Sequence, residues 1–275
     1  MHCVENKAFI CYPISMVAKS APCSILRILQ LMEDCPMQTI VLTGSTGGLG
    51  FALANQFVRK GIGNLICVYR DEMKFQKLFG HFGSNLYSYK TFMEDDYVPL
   101  GNTIEALPGD EIVLILNAFS IAPIKLAGEY SYQEIDGMTG GNIRQNVALI
   151  NEAIRRCRCR SLKLRIINLD SGATDFPLSG WGNYCASKAY LNSFLSVVAL
   201  ENPDFKIVSF DPGVMDTDMQ RQIRETDSRV FDRVETFISY KESGRLIDPS
   251  AVAEQLIERY VSHWTATGIR EKYKL

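Results

Sequence analysis

The sequence predicts one doubly wound α/β domain, a mostly parallel sheet with helices on both faces. Three observations predict it. From Met37 onward, short apolar runs alternate with stretches of helical spacing. The first apolar run passes through a glycine cluster straight into the first helix. The 275 residues suit one large domain and are short for two, and 47% hydrophobic against 22% charged residues provides a substantial core.

The elements follow in order. TIVLTG (39–44) is a buried-strand run with β-branched side chains. GFALANQFVRKG (50–61) has helical spacing, with Gly61 as its stop. NLICVYR (64–70) is a second strand and EMKFQKLFG (72–80) a second helix. NLYSYKTF (85–92) reads as a third strand, and EIVLILNAF (111–119) as a strongly apolar fourth. NIRQNVALINEAIRR (142–156) is a long helix leading to a fifth strand, LKLRIINLD (162–170). NYCASKAYLNSFLSVVALE (183–201) is helical, FKIVSFDPG (205–213) is a sixth strand, and PSAVAEQLIERYVS (249–262) is the last helix, with a short strand near Ile269. No internal repeat or low-complexity linker interrupts the pattern. Residues 37–275 are therefore read as one domain and residues 1–36 as an N-terminal extension.

That extension contains AFICYPISMVA (8–18), apolar but broken by Pro13, with no convincing cleavage site after it. A targeting piece, an added arm and an upstream extension of the reading frame all fit. The formal net charge of -2 gives no electrostatic case for nucleic acid or an anionic membrane as partner. No apolar run reaches the roughly 20 residues of a membrane span. Four of the eight cysteines lie in the first 36 residues, and no paired CxxC sets with histidines occur, so no metal site is expected. RRCRCRSLKLR (155–165) reads as a solvated helix end entering a strand, with a metal or nucleic-acid patch as the alternative. The thiols are read as reduced and the location as cytoplasmic.

TGSTGGLG (43–50) joins the first strand to the first helix. Glycines there permit a tight turn and let backbone approach a pyrophosphate, whose charge is favoured at a helix N-terminus. Gly44, Gly48 and Gly50 have GxxxGxG spacing rather than GxGxxG. A plain strand–helix turn is the alternative. At the end of the second strand, an acid would bond a ribose 2′-hydroxyl. Tyr69 stands where that acid is sought, and Arg70 follows. A guanidinium suits a 2′-phosphate, which favours NADP(H) over NAD(H). Asp71 and Glu72 come next, and a register shift of one or two residues would reverse that preference.

Tyr184 and Lys188 stand one helical turn apart in YCASK, on the same helix face. Carbonyl reduction needs a proton at oxygen, and a free tyrosine, with a pKa of about 10, releases one reluctantly. A nearby ammonium is expected to pull that value down. Ser171, at the end of the fifth strand, is placed to polarise a carbonyl oxygen. Asn146 lies in the long helix. Chance pairing on a surface helix, a turn-capping Ser171 and an ordinary buried Asn146 are the alternatives. Asp170 is read as a structural hydrogen-bonder, with a helper role as its alternative.

TGSTGGLG, the Ser171-to-Tyr184 spacing, YCASK and PGVMDT (212–217), in this order and at these element ends, resemble the short-chain dehydrogenase/reductase family from about Met37 onward. The resemblance implies a Rossmann-type fold and a catalytic set of Ser171, Tyr184, Lys188 and Asn146. Lys188 would also bond the nicotinamide ribose, and Asn146 would hold a water linking Lys188 to solvent. Cofactor contacts would come from Gly44, Ser45, Thr46, Gly48, Leu49 and Gly50 of the glycine turn, from Arg70, and from Asn117 and Ala118 after the fourth strand. Pro212, Gly213, Val214 and Thr217 would complete them. A homodimer or homotetramer is also implied.

The family usually shows Asn-Ala-Gly after the fourth strand; here it is Asn117-Ala118-Phe119. The ring would swing into the substrate pocket or narrow the adenosine side. DGMTGG (136–141) carries three glycines, expected to loosen the approach to the Asn146 helix. Residues 214–249 would cover the substrate as a lid. DPGVMDTDMQ and KESGRLIDP look most like the branch containing sepiapterin reductase and the bacterial benzil reductases. Pterin reduction in that branch uses an acidic anchor near the C-terminus, where this chain offers only Glu271. The expected activity is NADP(H)-dependent reduction of a small-molecule dicarbonyl or aryl ketone, with Met215 and Met219 lining an apolar pocket or merely packing the lid. A non-catalytic, dinucleotide-binding redox sensor is the alternative. Alcohol oxidation on the same reversible site is a third possibility.

Overall fold

The structure, a computed structural model, describes residues 37–80, 86–90 and 97–273. The expected extension, residues 1–36, lies outside the described residues. Seven parallel strands form one sheet in the order β3-β2-β1-β4-β5-β6-β7. They are β1 (Gln38–Thr43), β2 (Asn64–Tyr69), β3 (Leu86–Lys90), β4 (Glu111–Leu116), β5 (Lys163–Leu169), β6 (Lys206–Asp211) and β7 (Arg270–Lys272). The six strands read from the sequence appear in place, and β7 follows Ile269 directly.

Strand alternation builds a core on each face. Ile40 and Leu42 of β1 pack with one set of helices, while Val41 between them packs with the other. The first face is covered by α1 (Gly48–Lys60), through Leu53 and Phe57, and by α2 (Glu72–Phe79), through Phe75 and Phe79. The second is covered by α3 (Val98–Ala106), through Leu100 and Ile104, and by α5 (Gln145–Arg160) and α6 (Gly182–Glu201), through Leu149, Ile150, Leu195 and Val198. Each such aliphatic side chain removed from water contributes about 1.5–3 kcal/mol.

Ahead of α5 lies α4 (Tyr132–Thr139), opened by a Ser131–Glu134 capping box. The three glycines of residues 136–141 do not break the chain between α4 and α5. They accompany a wide π turn, Gly140–Arg144, that runs on into α5. The lid holds α7 (Asp218–Arg224) and α8 (Val234–Glu242), and α9 (Pro249–Leu256) packs beside α1, its Val252 and Leu256 sharing that core. No helix among the described residues is long and apolar enough to cross a membrane.

Candidate active site

A cleft of about 500 Å³ opens at the carboxyl ends of the central strands. Open parallel sheets bind ligands at this end, where the strand order reverses direction. Here β1 and β4 are neighbours, and Thr43 joins their tips. Its hydroxyl donates to the Ile115 carbonyl and accepts from the Asn117 and Ala118 amides at 2.9 Å each. Asn117 Nδ2 donates to the Thr43 and Gly44 carbonyls, so the loop after β4 is tied to the glycine turn.

Two glycines of that turn are required by close approach. Gly44 has a φ of +67°, and a Cβ there would sit 3.0 Å from Ala118 Cα. A Cβ on Gly50 would meet the Gly44 carbonyl oxygen at 2.1 Å. No side chain caps the N-terminus of α1, and its first turn carries no acid. Backbone N–H groups and the positive helix end therefore face the cleft without an internal anion, as a pyrophosphate requires. This cradle fits a dinucleotide.

The segment after β2 settles which charges are free. Asp71 caps α2 by accepting from the Lys74 amide, and Glu72 accepts from the Tyr69 hydroxyl at 2.8 Å and from Gln76. Arg70 is exposed, lines the cleft and has no ion-pair partner among the described residues. Lys74 also lines it, with Nζ 3.5 Å from where a Cβ on Gly47 would stand. Sequence reasoning passed over Lys74, whose approach to the glycine turn depends on how α2 docks.

Tyr184, Lys188 and Asn146 line the same cleft as Gly44, Thr46, Gly48, Leu49, Asn117, Ala118, Pro212 and Thr217. Met215 and Met219 line it too. Ser45 is fully buried beneath the turn against the Cys67 thiol. Gly50 supports the turn from behind. Gly213 and Val214 belong to the loop leading into the lid, whose Val214 carbonyl accepts from the Ile247 amide. Thr217 caps α7 and approaches the glycine turn, with Cγ2 3.0 Å from where a Cβ on Gly48 would stand. Ser171 lies beside the cleft, opening a 3-10 turn and hydrogen-bonding toward Tyr184. Asn146 Nδ2 donates to the Asn142 carbonyl, while Asn142 clamps Ser120 through both its amide N–H and its carbonyl.

One expectation is corrected. Lys188 does not make Tyr184 more acidic in this arrangement. Burial raises the Tyr184 pKa above its usual value, and the Ser171 hydrogen bond only partly opposes this. Burial also brings the Lys188 pKa down to about 7, against the raising influence of Asp170 and Asp211. The lysine Nζ donates to the Leu169 carbonyl at 2.5 Å and lies 5.6 Å from the Tyr184 ring centroid. Phe119 explains part of this. Its ring lines the cleft, packs against the cluster that holds Tyr184 and Trp181, and has its centroid 3.0 Å from Lys188 Nζ. Lys188 is 2% exposed, and its burial outweighs the nearby carboxylates.

Behind Tyr184 lies a buried aromatic cluster. Trp181 meets Tyr184 edge-on at 5.8 Å and stacks on Phe231 at 4.9 Å, with Phe237 closing the cluster. Ile121, Met138 and Met219 pack against the same group. Glu271 is committed elsewhere: it accepts from Tyr260 at 2.7 Å and from the Thr267 amide, and pairs with Arg259.

A sequence model of the family described as short chain dehydrogenase matches residues 38–228. Benzil reductase ((S)-benzoin forming) of Bacillus subtilis is 33% identical over 226 residues, spanning 80% of this chain and 92% of that protein. Sepiapterin reductase of Mus musculus is 27% identical over 235 residues, spanning 79% and 89%. Among solved structures, the KRED1-Pglu enzyme superposes with a TM-score of 0.72 at 25% identity, covering 81% of this chain and 95% of that one.

Proposed function

The chain belongs to the short chain dehydrogenase family and is a nicotinamide-dependent oxidoreductase, and from that premise we infer that it is an NADPH-dependent carbonyl reductase acting on a flat, uncharged ketone or diketone. One observation carries this: Tyr184 and Lys188 line the same cleft as the glycine turn and the uncapped start of α1. The glycine turn and the α1 N-terminus would hold the pyrophosphate, Arg70 and Lys74 a 2′-phosphate, and Asn117 and Ala118 the adjoining backbone side of the cofactor. The bound cofactor supplies the hydride.

The protein's own groups supply the rest. Burial keeps the Tyr184 phenol protonated at neutral pH, which suits a proton donor to a carbonyl oxygen. Ser171, hydrogen-bonded toward the same hydroxyl, orients it and polarises the carbonyl. Lys188, with a pKa near 7, can return a proton to Tyr184, and Asn146 stands at the cleft to hold the water that connects Lys188 to solvent.

Phe119, Ile121, Met215 and Met219, which line the cleft, support a substrate with a flat apolar face, and proteins named benzil reductase and sepiapterin reductase are among those this chain resembles. Because Glu271 is bonded to Tyr260, Thr267 and Arg259, it does not serve as a pterin anchor. The non-catalytic redox-sensor reading keeps one supporting observation, the Phe119 ring over Lys188. Purified protein with NADPH and benzil separates the two. We expect loss of reduced-cofactor absorbance, with Tyr184→Phe reducing kcat by about 10²–10⁴-fold while NADPH still binds. NADPH binding without turnover on benzil or any of a panel of aryl ketones and diketones would favour the sensor.

A further inference from the structure

Asp170 is a buried carboxylate at the wall of the cleft, one residue beyond the carbonyl that accepts from Lys188 Nζ. Its oxygens are fully engaged. Oδ1 accepts from the Thr174 hydroxyl at 2.5 Å and from Asn192 Nδ2 at 2.8 Å, and the same Asn192 amide donates to the Lys188 carbonyl at 3.1 Å. Oδ2 accepts from Arg270, which reaches across from β7 and also grips Asp175 with two bonds of 2.7 and 2.9 Å. The turn that presents Ser171 is thus fastened at both ends, by Asp170 and by Asp175, to one arginine of the C-terminal strand.

A carboxylate held this way is an electrostatic component as well as a brace. With its side chain only 1% exposed, it is little screened by water. We propose that Asp170 is a positioning residue of the reaction, sustaining the charge on Lys188 and fixing the Ser171 turn, with Arg270 moderating its effect from the C-terminal strand. The inference rests on the reading of Tyr184 and Lys188 as the reacting pair. The other charged or titratable groups facing this point are Asp211 at the end of β6, Lys272 beside it at 3.8 Å, Asp175 in the 3-10 turn, and Tyr184 and Cys185 on α6.

The two partners of the ion pair have opposite expected effects, which a merely structural brace does not. Without the Asp170 charge, the Lys188 ammonium loses a stabilising neighbour and gives up its proton at lower pH. Removing Arg270 leaves the carboxylate less neutralised, and Lys188 holds its proton to higher pH. Lys188 titrates near neutrality, well apart from ordinary lysines. In protein labelled with carbon-13 lysine and free of cofactor, its Cε resonance, identified by its loss in Lys188→Met, reports that titration directly.

Asp170→Asn is expected to move the Lys188 midpoint down by about one pH unit. Arg270→Gln is expected to move it up by less, because that side chain is 39% exposed and screened. Arg270→Lys, which keeps the charge, is expected to stay near the wild type. The alkaline limb of kcat for NADPH-dependent benzil reduction should shift in the same senses. Midpoints that stay put, or that move together in both variants, overturn the proposal. If Asp170→Asn does not fold, Arg270→Gln against Arg270→Lys decides alone. Wild-type turnover in Tyr184→Phe would instead remove the premise, whereas midpoints indifferent to Asp170 and Arg270 in an enzyme that needs Tyr184 would defeat this inference only.

Discussion

Phe119 is the sharpest departure in the site, and its replacement tests how the cleft admits a ligand. In the reading proposed here, the nicotinamide ribose must reach Lys188 Nζ, yet the Phe119 ring covers that ammonium at 3.0 Å. The ring must give way before the two meet. A buried cation–π contact is worth about 2 kcal/mol. About 1.4 kcal/mol corresponds to a tenfold change in affinity, so displacing the ring weakens cofactor binding by roughly thirtyfold. Phe119→Ala removes that cost while leaving the Asn142 clamp on Ser120 intact. The expected result is a Kd for NADPH about ten- to thirtyfold lower, measured by calorimetry. Adenosine 2′,5′-bisphosphate, which lacks the nicotinamide half, should bind both proteins alike. Unchanged or weaker NADPH binding by the variant would refute the reasoning, because it would mean that the ring does not compete for Lys188.

Three further outcomes are expected. Arg70→Ala should weaken NADPH at least tenfold more than NADH, since a charge-assisted bond to a 2′-phosphate is worth about 1.5–3 kcal/mol; equal loss for both cofactors, by calorimetry, would discard the selectivity argument. Gly50→Ala places a Cβ 2.1 Å from the Gly44 carbonyl, so the glycine turn must shift, and both the thermal midpoint and dinucleotide binding should fall sharply. For Lys188, the folded pKa of about 7 lies below the ordinary 10.5, so between those values the unfolded chain binds more protons and stability rises with pH. The urea midpoint of the wild type relative to Lys188→Met should therefore climb between pH 7 and pH 10, and a flat difference would show that Lys188 is not desolvated.

The central strands were legible because they are apolar on both faces and are separated by helices of clear period. What escaped had mixed local signals. Helix α3, with Pro99 in its first turn and Gly101 after it, was not assigned from sequence; a Cβ on Gly101 would stand 1.9 Å from Glu152 Oε1. Helix α4 carries Gly137, but its Ser131–Glu134 capping box was a signal that local reading had available. In the site, residues joined by short sequence spacing were legible: the glycine turn, Tyr184 with Lys188, and Ser171. Their partners were not, because Asn142 reaches Ser120 across 22 positions and Arg270 reaches Asp170 across 100.

The same distinction explains why the acidity of the pair was misjudged. Spacing places Tyr184 and Lys188 on one helix face, and in water an ammonium at that distance would favour a phenolate. Protonation, however, depends on what surrounds the pair, and Phe119 and the Leu169 carbonyl arrive from other elements. Once the aromatic cluster excludes water, both groups are driven toward their neutral forms, a protonated phenol and an amine near half-titration at neutral pH. The protonation of the Tyr184–Lys188 pair thus follows from its surroundings more than from the spacing of the motif.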